Sequence, residues 1–140
     1  MKLTETPSGY SGKPLIVKLG LKPGFTVFIL NQPENYFEIL GELPEGISVK
    51  KKSSAEIDFI HFFTKDQKEY TAKLLSLKKN LAKNGMLWIS WPKKTSSITT
   101  DLNENIIRDI ALENGLVDVK VCAVDDNWSG LKLVYRLKDR

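Results

Sequence analysis

The chain contains one cysteine, one histidine and no glycine in the turn after its first continuous apolar run. With Cys122 alone, an intramolecular disulfide is excluded, and a reducing cytoplasm is the expected setting for an inert thiol in a core strand. One histidine and one cysteine cannot build a typical zinc site. A catalytic histidine would have to be His61, which falls mid-strand between Phe59 and Phe63, where a hydrogen-bonded core group is expected rather than a general base. No Gly-x-Ser-x-Gly elbow accompanies it. Apolar runs are too short to span a membrane, and Met1–Pro7 lacks the apolar stretch of a secretory signal. The formal net charge is only +4. Lysines fall in separate groups at 50–52, 78–79 and 93–94, so a nucleic-acid role, which needs one gathered basic face, is disfavoured.

What remains is ample for one domain: 140 residues, 41% of them hydrophobic, can bury a core without covalent staples. Residues 1–9 are expected to form a flexible tail and residues 10–140 a single domain. Pro14 in a first turn, apolar Leu15, Ile16 and Leu19, and Gly20 at the C-cap predict a short helix. Phe25–Leu30 is a near-continuous apolar run of the kind buried on both faces of a sheet. A short helix through Tyr36, Phe37 and Leu40 follows, stopped by Gly41, and then a weak strand at Ile47–Lys50. Asp58–Phe63 is the second strong strand. Thr64-Lys65-Asp66-Gln67 has capping-box spacing, and Tyr70, Leu74, Leu77 and Leu81 predict a helix ended by Asn84-Gly85. Met86–Trp91 is a third buried strand, stopped by Pro92. A helix capped within Asp101–Glu104 and ended by Asn114-Gly115 leads to strands at Val117–Val124 and Leu131–Leu137, joined by the loop Asp125–Gly130.

Strands alternating with helices and ending in a hairpin predict an α/β fold: a single Rossmann-like domain, with a mostly parallel sheet, helices on both faces and a C-terminal antiparallel hairpin. Ile57-Asp58-Phe59-Ile60, the helix after it, and Leu81-Ala-Lys-Asn-Gly85-Met-Leu-Trp-Ile89 resemble the second half of an S-adenosylmethionine-dependent methyltransferase. Gly9–Pro14, Trp91-Pro-Lys-Lys94 and Val121–Leu131 resemble an uncharacterised family of small bacterial proteins, which implies the fold more than an activity. In the methyltransferase pattern, glycines after the first strand admit the cofactor and a carboxylate after the second holds its ribose. Here Asn31, Gln32 and Pro33 stand in the first place, and Lys50–Lys52 follow the second. The expectation is therefore a non-catalytic small-ligand-binding or regulatory domain with no resident cofactor. A divergent methyltransferase using S-adenosylmethionine, or a protein-interaction module, is the alternative.

Ligands of open parallel sheets sit beyond the carboxyl ends of the strands. Those ends carry Asn31 and Gln32, then Thr64 and Lys65, then Trp91, Lys93 and Lys94 followed by Thr95-Ser96-Ser97, with Asp101 bordering the rim. Tyr10, Ser11 and Lys13 would join if the N-terminal segment crosses it. This set suits an anionic small molecule held by charge-assisted hydrogen bonds. Asp125 and Asp126 are expected to shape their loop rather than act as an acid–base pair. Trp128 is expected to pack, with a protein partner as its other use.

Overall fold

The computed structural model describes residues 13–140. The expectations for the tail at residues 1–9 and for Tyr10 and Ser11 lie outside the described residues. In chain order the elements are α1 (Leu15–Leu19), β1 (Thr26–Leu30), α2 (Tyr36–Leu40), β2 (Ser48–Lys50), β3 (Ile57–Phe63), α3 (Gln67–Asn80), β4 (Leu81–Pro92), α4 (Glu104–Glu113), β5 (Leu116–Ala123) and β6 (Trp128–Tyr135). Six strands form one sheet in the order β2-β1-β3-β4-β6-β5. The first four are parallel to one another, while β6 runs antiparallel to both β4 and β5. The chain moves outward from β1 to β2 and then returns across β1 to β3, so the topological switch point lies between β1 and β3. None of the described helices is long and apolar enough to cross a membrane.

Strand alternation sends side chains to two separate cores. On one face Ile60, Phe62, Leu87, Ile89 and Leu133 meet Tyr70, Leu74 and Leu77 of α3 and Ile107 and Ala111 of α4. On the other, Val27, Ile29, Phe59, Phe63 and Trp88 meet Leu15 and Leu19 of α1 and Tyr36 and Leu40 of α2. Gly20 caps α1 in the left-handed conformation, φ 84°, which costs an L side chain strain and glycine nothing.

Three boundaries differ from the sequence expectation. Helix α3 ends at Asn80, not at Asn84-Gly85, because Leu81 is drawn into pairing with Ile57. The register then jumps to Phe59↔Met86, and Ala82–Gly85 bulge opposite Asp58. Gly85 is needed there for close approach: a Cβ would stand 3.0 Å from the carbonyl oxygens of Ile57, Asp58 and Ala82. Strand β4 continues through Pro92, which pairs with Trp128, and the ladder resumes where the Lys93 N–H donates to the Asn127 carbonyl at 2.8 Å. Strand β6 begins at Trp128 rather than Leu131. Ser129-Gly130 looks like turn sequence but is strand, its glycine dictated by crowding, since a Cβ at Gly130 would lie 3.1 Å from the Trp88 ring.

Candidate functional site

At the carboxyl end of β4 the chain leaves the sheet at Trp91–Lys94 and returns at α4, leaving a cleft of about 800 Å3 between them. Trp91 forms part of the apolar floor and is itself a member of the α3/α4 core. Lys93 and Lys94 line one wall; Thr99, Thr100, Asn103 and Asn105 line the other. Neither lysine forms an ion pair among the described residues. The Asn103 side chain accepts the Ile106 N–H at 2.9 Å, an N-cap bond that occupies one donor of the first turn of α4. The N–H groups of Glu104 and Asn105, both cleft residues, have no intrahelical carbonyl to bond. Glu104 would oppose an anion, but its carboxylate is engaged by Arg108, which also donates to Asp118 at 2.8 Å and to Asn105 at 3.0 Å. The bond to Asp118 first, and that to Glu104 second, hold the Arg108 guanidinium above its usual pKa; Arg108 in turn holds the Asp118 carboxyl below its own.

The loop before α4 is anchored to the start of α3. Thr100 Oγ1 donates to the Lys65 carbonyl at 2.7 Å, and the Asp101 carboxylate accepts the Gln67 N–H at 2.7 Å. Asp101 thus caps α3, whereas the expected capping box at Thr64–Gln67 does not form: the N-cap is Asp66, with no side-chain cap bond. Thr64 is buried and donates instead to Glu69 at 2.7 Å, and the other oxygen of Glu69 accepts from Asn31 Nδ2 at 3.2 Å. Glu69 therefore bridges the ends of β1 and β3 across the switch point. Asn31 has φ 62°, the left-handed conformation a glycine would take most easily and that asparagine tolerates among the other residues.

Of the predicted residues, Trp91, Lys93 and Lys94 are brought together in the cleft. Asn31 and Thr64 meet through Glu69 at the switch point, while Gln32, Lys65 and Lys13 are exposed and line no part of the cleft. Thr95-Ser96-Ser97 do not supply its hydroxyls. The Ser96 N–H donates to the Lys93 carbonyl and Ser96 Oγ accepts the Ile98 N–H, a turn that moves the hydroxyl lining on to Thr99 and Thr100. Glu69, Asn103 and Asn105 were missed as site residues because nothing local distinguishes a rim-facing helical polar residue from a solvated one. Lys50 ends β2, three strands from β4, roughly 14 Å at ordinary inter-strand spacing. The lysine groups at 50–52 and 93–94 therefore do not share one patch.

Beneath the rim lies a buried polar chain. His61 is fully buried, with Tyr36 Oη 2.8 Å from Nδ1 and Ser90 Oγ 2.7 Å from Nε2, and its ring stacks on Phe63 at 4.2 Å. Burial pushes the imidazole down to about 3, so the ring is neutral, and the same cause raises the Tyr36 phenol. Serine, histidine and tyrosine are in hydrogen-bond reach, but all three are sealed from solvent and serve as core. Asp125 shapes its turn, its carboxylate accepting the N–H groups of Asn127 at 2.8 Å and Trp128 at 2.9 Å. Trp128 packs edge-on against Phe63 at 5.1 Å.

Comparison with solved structures shows the fold. A SAM-dependent methyltransferase from Aquifex aeolicus matches with a TM-score of 0.58 and 16% identity, covering 85% of this chain and 86% of its own. Ribosomal protein L11 methylase from Lactobacillus delbrueckii subsp. bulgaricus matches at 0.55 and 15%, over 87% and 75%. Magnesium protoporphyrin IX methyltransferase from Synechocystis PCC 6803, solved with bound SAM, matches at 0.57 and 12%, over 87% and 74%. The molecule has a methyltransferase-like α/β fold. The chain belongs to the family of proteins of unknown function designated DUF3052, which matches residues 46–137. Trp91–Lys94 and Val121–Leu131 fall within that span; Gly9–Pro14 falls outside it. No curated protein matches.

Proposed function

We propose that the chain is a non-catalytic ligand-binding or regulatory domain on a methyltransferase-like fold, which holds an anionic small molecule in the cleft between β4 and α4. The observation that carries this reading is the placement of Lys93 and Lys94 opposite the first turn of α4, at the carboxyl end of a parallel strand. Two cations and a helix N-terminus present charge and N–H donors to one volume. At the switch point, where S-adenosylmethionine would need glycine and a ribose-holding acid, the chain instead offers Asn31 tied to Glu69, and a three-residue β2 ending in lysine. A divergent methyltransferase is the second reading, favoured by the solved structures it resembles.

Native mass spectrometry of the protein as purified would identify a retained anion. Thermal-shift titration with inorganic phosphate and with S-adenosylmethionine, on wild type and Lys93→Ala/Lys94→Ala, tests the site. Stabilisation of wild type by phosphate but not of the variant is expected. Equal phosphate affinity in both sinks the cleft, and saturable S-adenosylmethionine binding moves the function to the second reading.

A further inference from the structure

A second concentration of positive charge lies at the opposite, amino end of the parallel strands, and it is independent of the cleft. The end of α3, the start of β4 and the end of β6 enclose a recess of about 420 Å3 lined by Lys78, Lys79, Lys83 and Tyr135, with Asp139 as the carboxylate of its lining. Lys78 and Lys83 are held, not merely adjacent. Lys83 Nζ sits 4.4 Å from the centre of the Tyr135 ring and Lys78 Nζ 5.6 Å, both within cation–π range. Lys78 also donates to the Asn114 carbonyl at 2.7 Å, and the Tyr135 hydroxyl donates to the Lys78 carbonyl at 2.5 Å.

Arg136 joins them over Gly115. A Cβ at that glycine would be 2.7 Å from Lys78 Nζ and 3.2 Å from an Arg136 terminal nitrogen, so two cationic heads meet at one point of bare backbone. Arg136 Nε is buried without a hydrogen-bond partner among the described residues, its ion-pair contact with Asp139 at 3.7 Å being too long for one. Like charges held this close repel, and an anion bound in the recess beside them offsets that repulsion.

We propose that this recess is an anion site for a small ligand carrying two or more adjacent phosphate groups. Three lysines line the recess, and its carboxylate, Asp139, is shared with Arg136, which leaves more positive charge there than a single phosphate neutralises. The volume suits a small molecule, for which cavities run roughly 300–1,000 Å3.

Isothermal titration of the full chain with inorganic pyrophosphate tests it. Lys79→Ala/Lys83→Ala is the informative variant, because both residues are exposed, whereas Lys78 and Tyr135 carry contacts the fold uses. Saturable binding that weakens with salt, falls at least tenfold in this variant and persists in Lys93→Ala/Lys94→Ala is the expected result. No saturable binding, or equal affinity in wild type and Lys79→Ala/Lys83→Ala, overturns the proposal. Loss of pyrophosphate binding only in Lys93→Ala/Lys94→Ala also overturns it while leaving the cleft reading intact. Binding of a single-stranded oligonucleotide that pyrophosphate fails to displace overturns it in favour of a nucleic-acid surface.

Discussion

On the α3/α4 face the sheet meets its helices almost wholly through aliphatic and aromatic carbon, with Tyr70 sending its hydroxyl to the Ile107 carbonyl at 2.9 Å. On the α1/α2 face the same strands bury His61, Ser90 and Tyr36 in one hydrogen-bonded chain, and Trp88 donates to the Leu19 carbonyl at 2.9 Å. The first face gains stability mainly from buried area, which tolerates substitution of one apolar group by another of similar size. The second depends on directed bonds, where a single lost partner leaves another buried group unsatisfied. Short helices explain the difference. Helices α1 and α2 are five residues each against fourteen for α3, and a helix of little more than one turn offers too few side chains to fix its own position. Bonds from the sheet fix it instead.

Trp88→Ala should be the most damaging change on the polar face, costing about 3–5 kcal/mol through the cavity, with the Leu19 carbonyl losing its donor as well. Urea unfolding beside Leu74→Ala on the apolar face sharpens the contrast; a larger loss in Leu74→Ala would break it. Next comes acid. His61 is held at about 3 in the folded chain against an ordinary 6.5, so its cation is favoured only after unfolding. Stability is complete above pH 6.5 and drains as pH falls toward 3, with about 2 kcal/mol lost at pH 5 relative to pH 8. Asp118 adds its own loss only as pH approaches its ordinary 3.8. Unfolding curves at pH 8 and pH 5 should converge for His61→Gln; an equal acid loss in that variant would assign the effect elsewhere.

Asp101→Ala removes the tertiary cap of α3 and should cost about 1 kcal/mol in the same assay, with no effect expected from Asp66→Ala at the formal N-cap position. Smallest in stability is Lys93→Ala/Lys94→Ala, expected within about 0.5 kcal/mol of wild type while phosphate binding in the cleft is lost. A large destabilisation there would make these lysines structural and withdraw the separation between rim and core.

Much of the fold is legible from the residues because its signals are local. Phe25–Leu30 and Asp58–Phe63 read as buried strands from their unbroken apolar runs, and Gly20 and Asn114-Gly115 mark real helix ends. The errors gather where a residue is chosen for a distant neighbour. Gly85 and Gly130 look like turn formers and are strand residues crowded by carbonyls and an indole. Thr64 has capping spacing, yet its hydroxyl is drawn to Glu69 and the cap comes from Asp101, thirty-four positions beyond Gln67. The cleft was half legible: Trp91, Lys93 and Lys94 follow a strand end and so declare themselves, whereas Asn103 and Asn105 reach it only because the start of α4 returns beside the end of β4.

The amino-acid sequence by itself determined the strand and helix order and the two-sided covering of the sheet, since each follows from hydrophobic period and backbone preference within a few residues. Tertiary structure alone decided that Asn31 keeps a left-handed turn without glycine, that the partners of His61 are Tyr36 and Ser90, and that Lys78, Lys83 and Arg136 converge at the far end from Lys93 and Lys94. Those outcomes depend on contacts between residues far apart in the chain, whose approach is set by sheet register and not by any local pattern.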